Sequence, residues 1–210
     1  MNRDWLAWHS DYDQPGSALA ARLAEVRGQV RAALDRAPAG PLRVVSACAG
    51  QGRDLTPVLA THPRRDDVTA RLVELDPRNA AVAVAGAEAA GLTGVQVVVG
   101  DAAVTDAYAD LAPADLVLLC GVFGNVSDAD VRATIGHSAA LCASGGTVIW
   151  TRHRREPDLV PTICDWFVQE GFAPVAVGTP ADGVGVGVHR QLGRPRPLPS
   201  GVTMFHFLPR

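Results

Sequence analysis

Three features that could hold a nucleoside recur at intervals in the first half of the chain. Gly50-Gln51-Gly52 follows an apolar run, Leu42 to Val45, and precedes a helical pattern. A strand that passes through a glycine turn into a helix makes a pocket at the strand's carboxyl end. There, backbone N–H groups and the helix N-terminus face a ligand's polar groups. Glycine lets the ligand approach the backbone, because no Cβ intervenes. Glu74 lies near the end of a second run, Thr69 to Leu75. It comes about 20 residues after the glycines, where a nucleoside-binding α/β fold places an acid for the ribose hydroxyls. Asp76 precedes Pro77 and suits a helix N-cap with proline in the first turn, so Glu74 is the expected ribose ligand. Gly100-Asp101-Ala102 closes a third run, Val95 to Val99.

The first of these stretches, Ser46-Ala47-Cys48-Ala49-Gly50-Gln51-Gly52, resembles the opening motif of class I S-adenosylmethionine-dependent methyltransferases, acidic-x-Gly-x-Gly-x-Gly. Gly50 and Gly52 match its last two glycines, while Ser46 stands at the acid and Cys48 at the first glycine. Glu74-Leu75-Asp76-Pro77 resembles the second motif, and Asp101 the third. The resemblance implies S-adenosylmethionine as cofactor and S-adenosylhomocysteine as product. It implies a cofactor site of Ser46, Ala47, Cys48, Gly50, Gly52, Asp54, Glu74, Leu75, Asp101, Ala102, Cys120 and Gly121. In it Asp101 accepts the adenine amino group and the next N–H reaches a ring nitrogen. It also implies that the end of the fourth strand, Cys120 to Asn125, faces the transferable methyl. The Asn-Pro-Pro-Tyr/Phe signature of amino-group and nucleobase methyltransferases is absent there; the run is Gly121-Val-Phe-Gly-Asn125.

Methyl transfer from a sulfonium is a direct displacement, and the protein's main task is to align nucleophile, carbon and sulfur. A hydroxyl acceptor also needs a base, for which histidine is suited near neutral pH. His153, after the fifth strand, and His9 are the candidates. Asn125 can hydrogen-bond an acceptor heteroatom or serve as a turn residue before Ser127. His62 reads as a surface loop residue, His137 as a solvated mid-helix one, and His189 and His206 as residues of tail strands. The Arg152-His-Arg-Arg155 cluster can anchor a substrate carboxylate or phosphate, or be a solvated loop. Trp5, Trp8, His9 and Tyr12 share a helical face that either docks on the core or covers a substrate. The resemblance favours the cover. Trp8, Tyr12, Phe123 and Arg152 are therefore the expected acceptor contacts.

The elements that must position these groups alternate. Ser17 caps a helix carrying Leu19, Leu23, Val26, Val30 and Leu34, and Pro38 to Pro41 ends it. A short helix over about 54–60, an alanine-rich one over 77–90, one from Ser127 to about Cys142, and one over about 158–170 separate the strands. The fourth strand is Ala114 to Cys120. Gly145-Gly146 turns the chain into the fifth, Thr147 to Thr151. Phe172 to Val177, Val184 to Arg190 and Thr203 to Leu208 are strand candidates in a helix-poor tail. Alternation predicts an α/β fold, a doubly wound, mostly parallel sheet. The resemblance makes it seven-stranded and Rossmann-like, with antiparallel C-terminal strands and an N-terminal helical cap. Residues 1–210 read as one domain: a cap over 1–38, a cofactor-binding core over 42–177, and C-terminal strands over 178–210.

The chain has 210 residues and a net charge of −3, which argues against a general nucleic-acid surface. It has no lysine, which excludes Schiff-base chemistry. Cys48, Cys120, Cys142 and Cys164 form no metal spacing, and they read as buried thiols in a reducing compartment. No signal peptide or membrane span is expected, so the reading is a soluble, cytoplasmic protein, monomer or homodimer. The expected function is methyl transfer from S-adenosylmethionine to a small molecule. Two rivals are a methyltransferase-fold protein that binds the adenosyl compounds without transfer, and an NAD(P)-dependent oxidoreductase. Against the latter, Leu55 stands where Gly-x-Gly-x-x-Gly needs its last glycine.

Overall fold

A computed structural model describes residues 12–14, 16–178 and 184–209. Seven strands form one sheet in the order β3-β2-β1-β4-β5-β7-β6. They are β1 (Leu42–Ala47), β2 (Val68–Glu74), β3 (Val95–Val99), β4 (Ala114–Leu119), β5 (Cys142–His153), β6 (Phe172–Gly178) and β7 (Val184–Gln191). β1 to β5 pair in parallel. β7 opposes both β5 and β6, so it alone carries the antiparallel pairing expected of the tail.

Helices cover both faces. They are α1 (Ala18–Arg36), α2 (Thr56–Leu59), α3 (Pro77–Ala89), α4 (Asp128–Leu141) and α5 (Val160–Gln169). The two-residue period of the strands divides the core. Val44, Leu116, Leu118 and Ile149 pack with Val26, Val30 and Leu34 of α1 and with Val58 and Leu59 of α2. Val45, Val117, Leu119 and Trp150 pack with Val131 and Ile135 of α4 and with Ile163 and Phe167 of α5. Central strands buried on both faces are continuous apolar runs, as β4 is. α1 is thus a layer of the core.

The helix starts follow the caps legible in the sequence. Ser17 Oγ accepts from Ala20 N at 3.0 Å, and Asp76 Oδ1 accepts from Arg78 N at 2.9 Å. Ser127 Oγ accepts from Asp130 N at 3.1 Å and donates to the Asp130 carboxylate at 2.8 Å.

Two expectations about the strands are corrected. β5 starts at Cys142, directly after α4, and Gly145-Gly146 lies inside it. The register jumps from Ala114↔Cys142 to Leu116↔Thr147, so the glycines form an irregular bulge. Gly145 has φ +77°, and a Cβ on Gly146 would lie 2.9 Å from Ala143 O. Thr203 to Leu208 is not a strand of the sheet. It makes two isolated bridges, Val104↔Thr203 and Val126↔Phe207, and straps the loops after β3 and β4 together.

Candidate active site

The carboxyl ends of β1, β2 and β3 converge on Glu74. Its side chain is only 8% exposed, and both oxygens are held by backbone: Gly50 N at 2.8 Å and Asp76 N at 2.9 Å. The glycine loop is therefore docked on the acid. A carboxylate has about four lone-pair sites, so each oxygen retains capacity for a further donor. Gly50 and Gly52 have φ +55° and +70°. A Cβ on Gly52 would lie 3.0 Å from Thr56 Oγ1 and 3.1 Å from Leu72 Cδ2, so glycine is required on both counts.

Cys48, at the position of the motif's first glycine, has φ +53°, the one non-glycine residue with positive φ among those described. The glycine backbone shape persists although the residue differs. Burial, and after it the nearby Glu74 and Asp101 charges, push the thiol's pKa up. Ser46 is buried within β1 and Ala47 ends that strand.

At the ends of β2 and β3, where Glu74 and Val99 are register partners, two apolar side chains face solvent. Leu75 is 67% and Val99 57% exposed. Asp101 Oδ1 accepts from Ala103 N at 2.9 Å, so it caps its own loop as well as edging the crevice. Tyr108 is buried behind it and donates to Ala102 O at 2.8 Å. Asp76 has the capping role: its carboxylate accepts from Arg78 N and pairs with the Arg78 guanidinium, which together hold its pKa down at about 2.

The ends of β4 and β5 are built differently. Gly121 N donates to Thr151 Oγ1 at 2.8 Å, and Asn125 Nδ2 donates to Gly121 O at 2.6 Å. Asn125 thus closes its own turn. Arg152 donates to Phe123 O and reaches Asp128 at 3.4 Å, while Arg154 pairs with Asp158 at 2.7 Å. Phe123 is fully buried, its ring 5.8 Å from that of Trp150 and 6.5 Å from that of Phe167, so it faces the core and not the crevice. His153 does approach this loop, since a Cβ on Gly124 would lie 3.5 Å from its Cδ2.

Two other histidines, His62 and His137, differ from expectation, and His189 lies in the tail strand β7 as expected. His62 is buried; its Nδ1 accepts from Arg64 N at 3.2 Å, so Nε2–H donates to Asp35 at 3.1 Å and ties the loop to α1. His137 is half-buried, and desolvation lowers its pKa. His189 is buried against Phe167 and accepts from Trp150 Nε1 at 3.1 Å.

On the β4 side of the glycine loop, Arg22 donates to the Tyr12 hydroxyl, and burial, with the nearby Asp54 charge, pushes the Cys120 thiol's pKa up. The structure therefore brings Tyr12 to the crevice with Cys120 and Asp54. Trp5, Trp8 and His9 lie outside the described residues. Sequence reasoning missed Val99, Thr151 and Arg22. An apolar residue at a strand's last position is the only local signal for Val99; Arg22 had none.

The strand order and crevice define a class I methyltransferase fold, and solved structures agree. The magnesium protoporphyrin IX methyltransferase of Synechocystis PCC 6803, crystallised with S-adenosylmethionine, matches with TM-score 0.67 at 14% identity, covering 88% of this chain and 89% of that one. The 1,6-didemethyltoxoflavin-N1-methyltransferase of Burkholderia thailandensis, with bound 1,6-didemethyltoxoflavin and S-adenosylhomocysteine, matches with TM-score 0.64 at 18% identity, covering 90% of this chain and 86% of that one. An O-methyltransferase family protein of the same organism matches with TM-score 0.63 at 20% identity, and this chain covers 82% of itself but only 57% of that protein. No protein-family model and no curated protein matches the sequence.

Proposed function

We propose that the protein is an S-adenosylmethionine-dependent methyltransferase acting on a small-molecule acceptor. The observation that carries this reading is Glu74: a nearly buried carboxylate held by Gly50 N and Asp76 N, between a positive-φ glycine loop and an exposed apolar shelf. The crevice's chemistry fits the cofactor. Glu74 accepts the ribose hydroxyls, Leu75 and Val99 cover the adenine, and Asp101 with the Ala102 N–H reads its edge. Cys48, Gly50 and Gly52 line the chain toward sulfur, and Cys120 and Gly121 border the methyl. S-adenosylmethionine supplies a carbon activated by positive sulfur, so the residues' task is alignment. His153 is the base for a hydroxyl acceptor.

The whole chain acts as one domain in this reading, without a nucleic-acid partner, at a net charge of −3. No described helix is long and apolar enough to cross a membrane. The four cysteines are free thiols, which fits a reducing, cytoplasmic setting.

Calorimetric titration with S-adenosylmethionine, S-adenosylhomocysteine, NAD and NADP tests this. The reading expects micromolar binding of the adenosyl compounds, weakened in Glu74→Ala and Asp101→Ala. Binding of NAD in their place would promote an oxidoreductase and overturn it.

A further inference from the structure

After β7 the chain returns along α4 and ends on the loops that follow β3 and β4. Arg196 N donates to Ala139 O at 3.1 Å, Thr105 N to Val202 O at 3.0 Å, and Met204 N to Ala103 O at 2.8 Å. Thr134 Oγ1 of α4 donates to Met204 O at 3.2 Å. Met204 and Phe205 are buried, so this strap is anchored like core. Its last residues turn outward. Phe207 is 44% and Leu208 50% exposed, and Phe207 is the one exposed aromatic residue among those described. This is not the exposure of a frayed chain end. Phe207 bridges to Val126, Leu208 N donates to Asn125 O at 2.9 Å, and the Phe207 ring stands edge-to-face with Phe205, centroids 5.7 Å apart and planes at 88°.

The position of this pair decides what it can meet. Asn125, on which Leu208 is hung, donates from Nδ2 to Gly121 O at 2.6 Å. Gly121 borders the transferable methyl in the proposed function, so Phe207 and Leu208 stand on the rim of the acceptor side. The charged side chains beside this loop are matched already. Arg152 donates to Phe123 O and reaches Asp128, Arg154 pairs with Asp158, and His206 Nδ1 lies 4.0 Å from Asp130. A charged acceptor entering here gives up water without gaining an opposite partner. A flat apolar one covers the Phe207 ring and the Leu208 side chain, and contact between rings adds to the gain from buried area.

We propose that Phe207 and Leu208 form an acceptor-binding wall, and that the acceptor is an uncharged aromatic molecule. This rests on the proposed function and supplies the chemical class of its methyl acceptor. Met204 and Phe205 hold the wall from beneath. An aromatic hydroxyl fits the wall and fits His153 as its base.

The probe is 2-naphthol, an uncharged aromatic hydroxyl compound, followed by its fluorescence as the full chain, saturated with S-adenosylhomocysteine, is added. The comparison is 2-naphthoate, which carries a carboxylate on the same rings. The wild type is expected to bind 2-naphthol saturably and about tenfold or more tighter than 2-naphthoate. Phe207→Ala weakens 2-naphthol about fivefold or more, Phe207→Tyr keeps most of the affinity, and Leu208→Ala causes a smaller loss. Calorimetry with S-adenosylhomocysteine on each variant reports whether the fold and the cofactor side are intact. Three outcomes overturn the wall and leave the adenosyl reading standing: equal 2-naphthol binding by wild type and Phe207→Ala, binding of 2-naphthoate as tight as that of 2-naphthol, or no 2-naphthol binding by a wild type that holds S-adenosylhomocysteine. Loss of both ligands together in Phe207→Ala and in Leu208→Ala also overturns it, because the strap would then serve the fold alone. Binding of neither ligand by folded wild-type protein overturns the adenosyl reading itself.

Discussion

The two halves of the crevice are made from different materials. On the β1–β3 side, the backbone sets the shape: a loop with positive φ at Cys48, Gly50 and Gly52 is docked on one carboxylate. On the β4–β5 side, side chains hold the loop in place. Asn125 ties Gly121, Thr151 ties Gly121, and Arg152 ties Phe123. The aromatic residues there, Phe123, Trp150, Phe167 and His189, form a packed stack beneath the surface. A backbone cradle is set by a short strand–turn–helix pattern. A side-chain scaffold is set by contacts remote in sequence. In the proposed reading, the first half is generic for the cofactor and the second carries acceptor preference.

Substitutions can break this contrast. The largest expected effect is from Phe123→Ala. Removing a fully buried ring that touches Trp150 and Phe167 should cost about 3–5 kcal/mol in denaturant unfolding. Affinity of the folded fraction for S-adenosylhomocysteine should be unchanged. A stable variant with altered acceptor turnover would move Phe123 into the crevice.

Acidification probes the same stack. Burial lowers the His189 pKa from 6.5 to about 4, so the unfolded chain takes the proton first. Its stabilising contribution is complete above about pH 6.5 and is lost as pH falls toward 4, roughly 3 kcal/mol in all. Unfolding free energy against pH should show this slope, and His189→Gln should flatten it.

Gly52→Ala sits on the other side. With φ +70° and a Cβ at 3.0 Å from Thr56 Oγ1, it should cost about 1–3 kcal/mol by thermal unfolding. It should also weaken adenosyl binding, which Phe123→Ala does not. The smallest effect is expected from Cys48→Gly. Relief of left-handed strain, about 1–2 kcal/mol, is offset by the greater freedom of glycine in the unfolded chain. Stability should change by less than about 1 kcal/mol, and ligand affinity should persist. A large loss would show that the thiol itself matters.

The same contrast explains what could be read from the sequence. β1 to β4 and the caps at Ser17, Asp76 and Ser127 follow from local pattern, and the structure has them there; the same pattern puts Glu74 at the end of β2, where it accepts from Gly50 N. The rest depended on distant partners. His62 looked like a surface residue because its partner, Asp35, lies on α1. Val99 becomes a shelf only through its register with Glu74. An apolar residue after β4 reads alike whether it faces crevice or core, so Phe123 was not separable. Gly187 gives no local sign that a Cβ there would lie 2.2 Å from the Trp150 ring. The bulge at Gly145-Gly146 reads as a simple turn until Ala114 and Leu116 fix the register around it.

The most direct test of the account is calorimetric titration of S-adenosylhomocysteine into the wild type and into Glu74→Gln, with thermal unfolding run on both. Micromolar binding by the wild type, with a loss of about tenfold or more in a Glu74→Gln protein that still folds, is the predicted result. Equal affinity in the two proteins, or no binding by a folded wild type, would contradict the claim that Glu74 organises an adenosyl site.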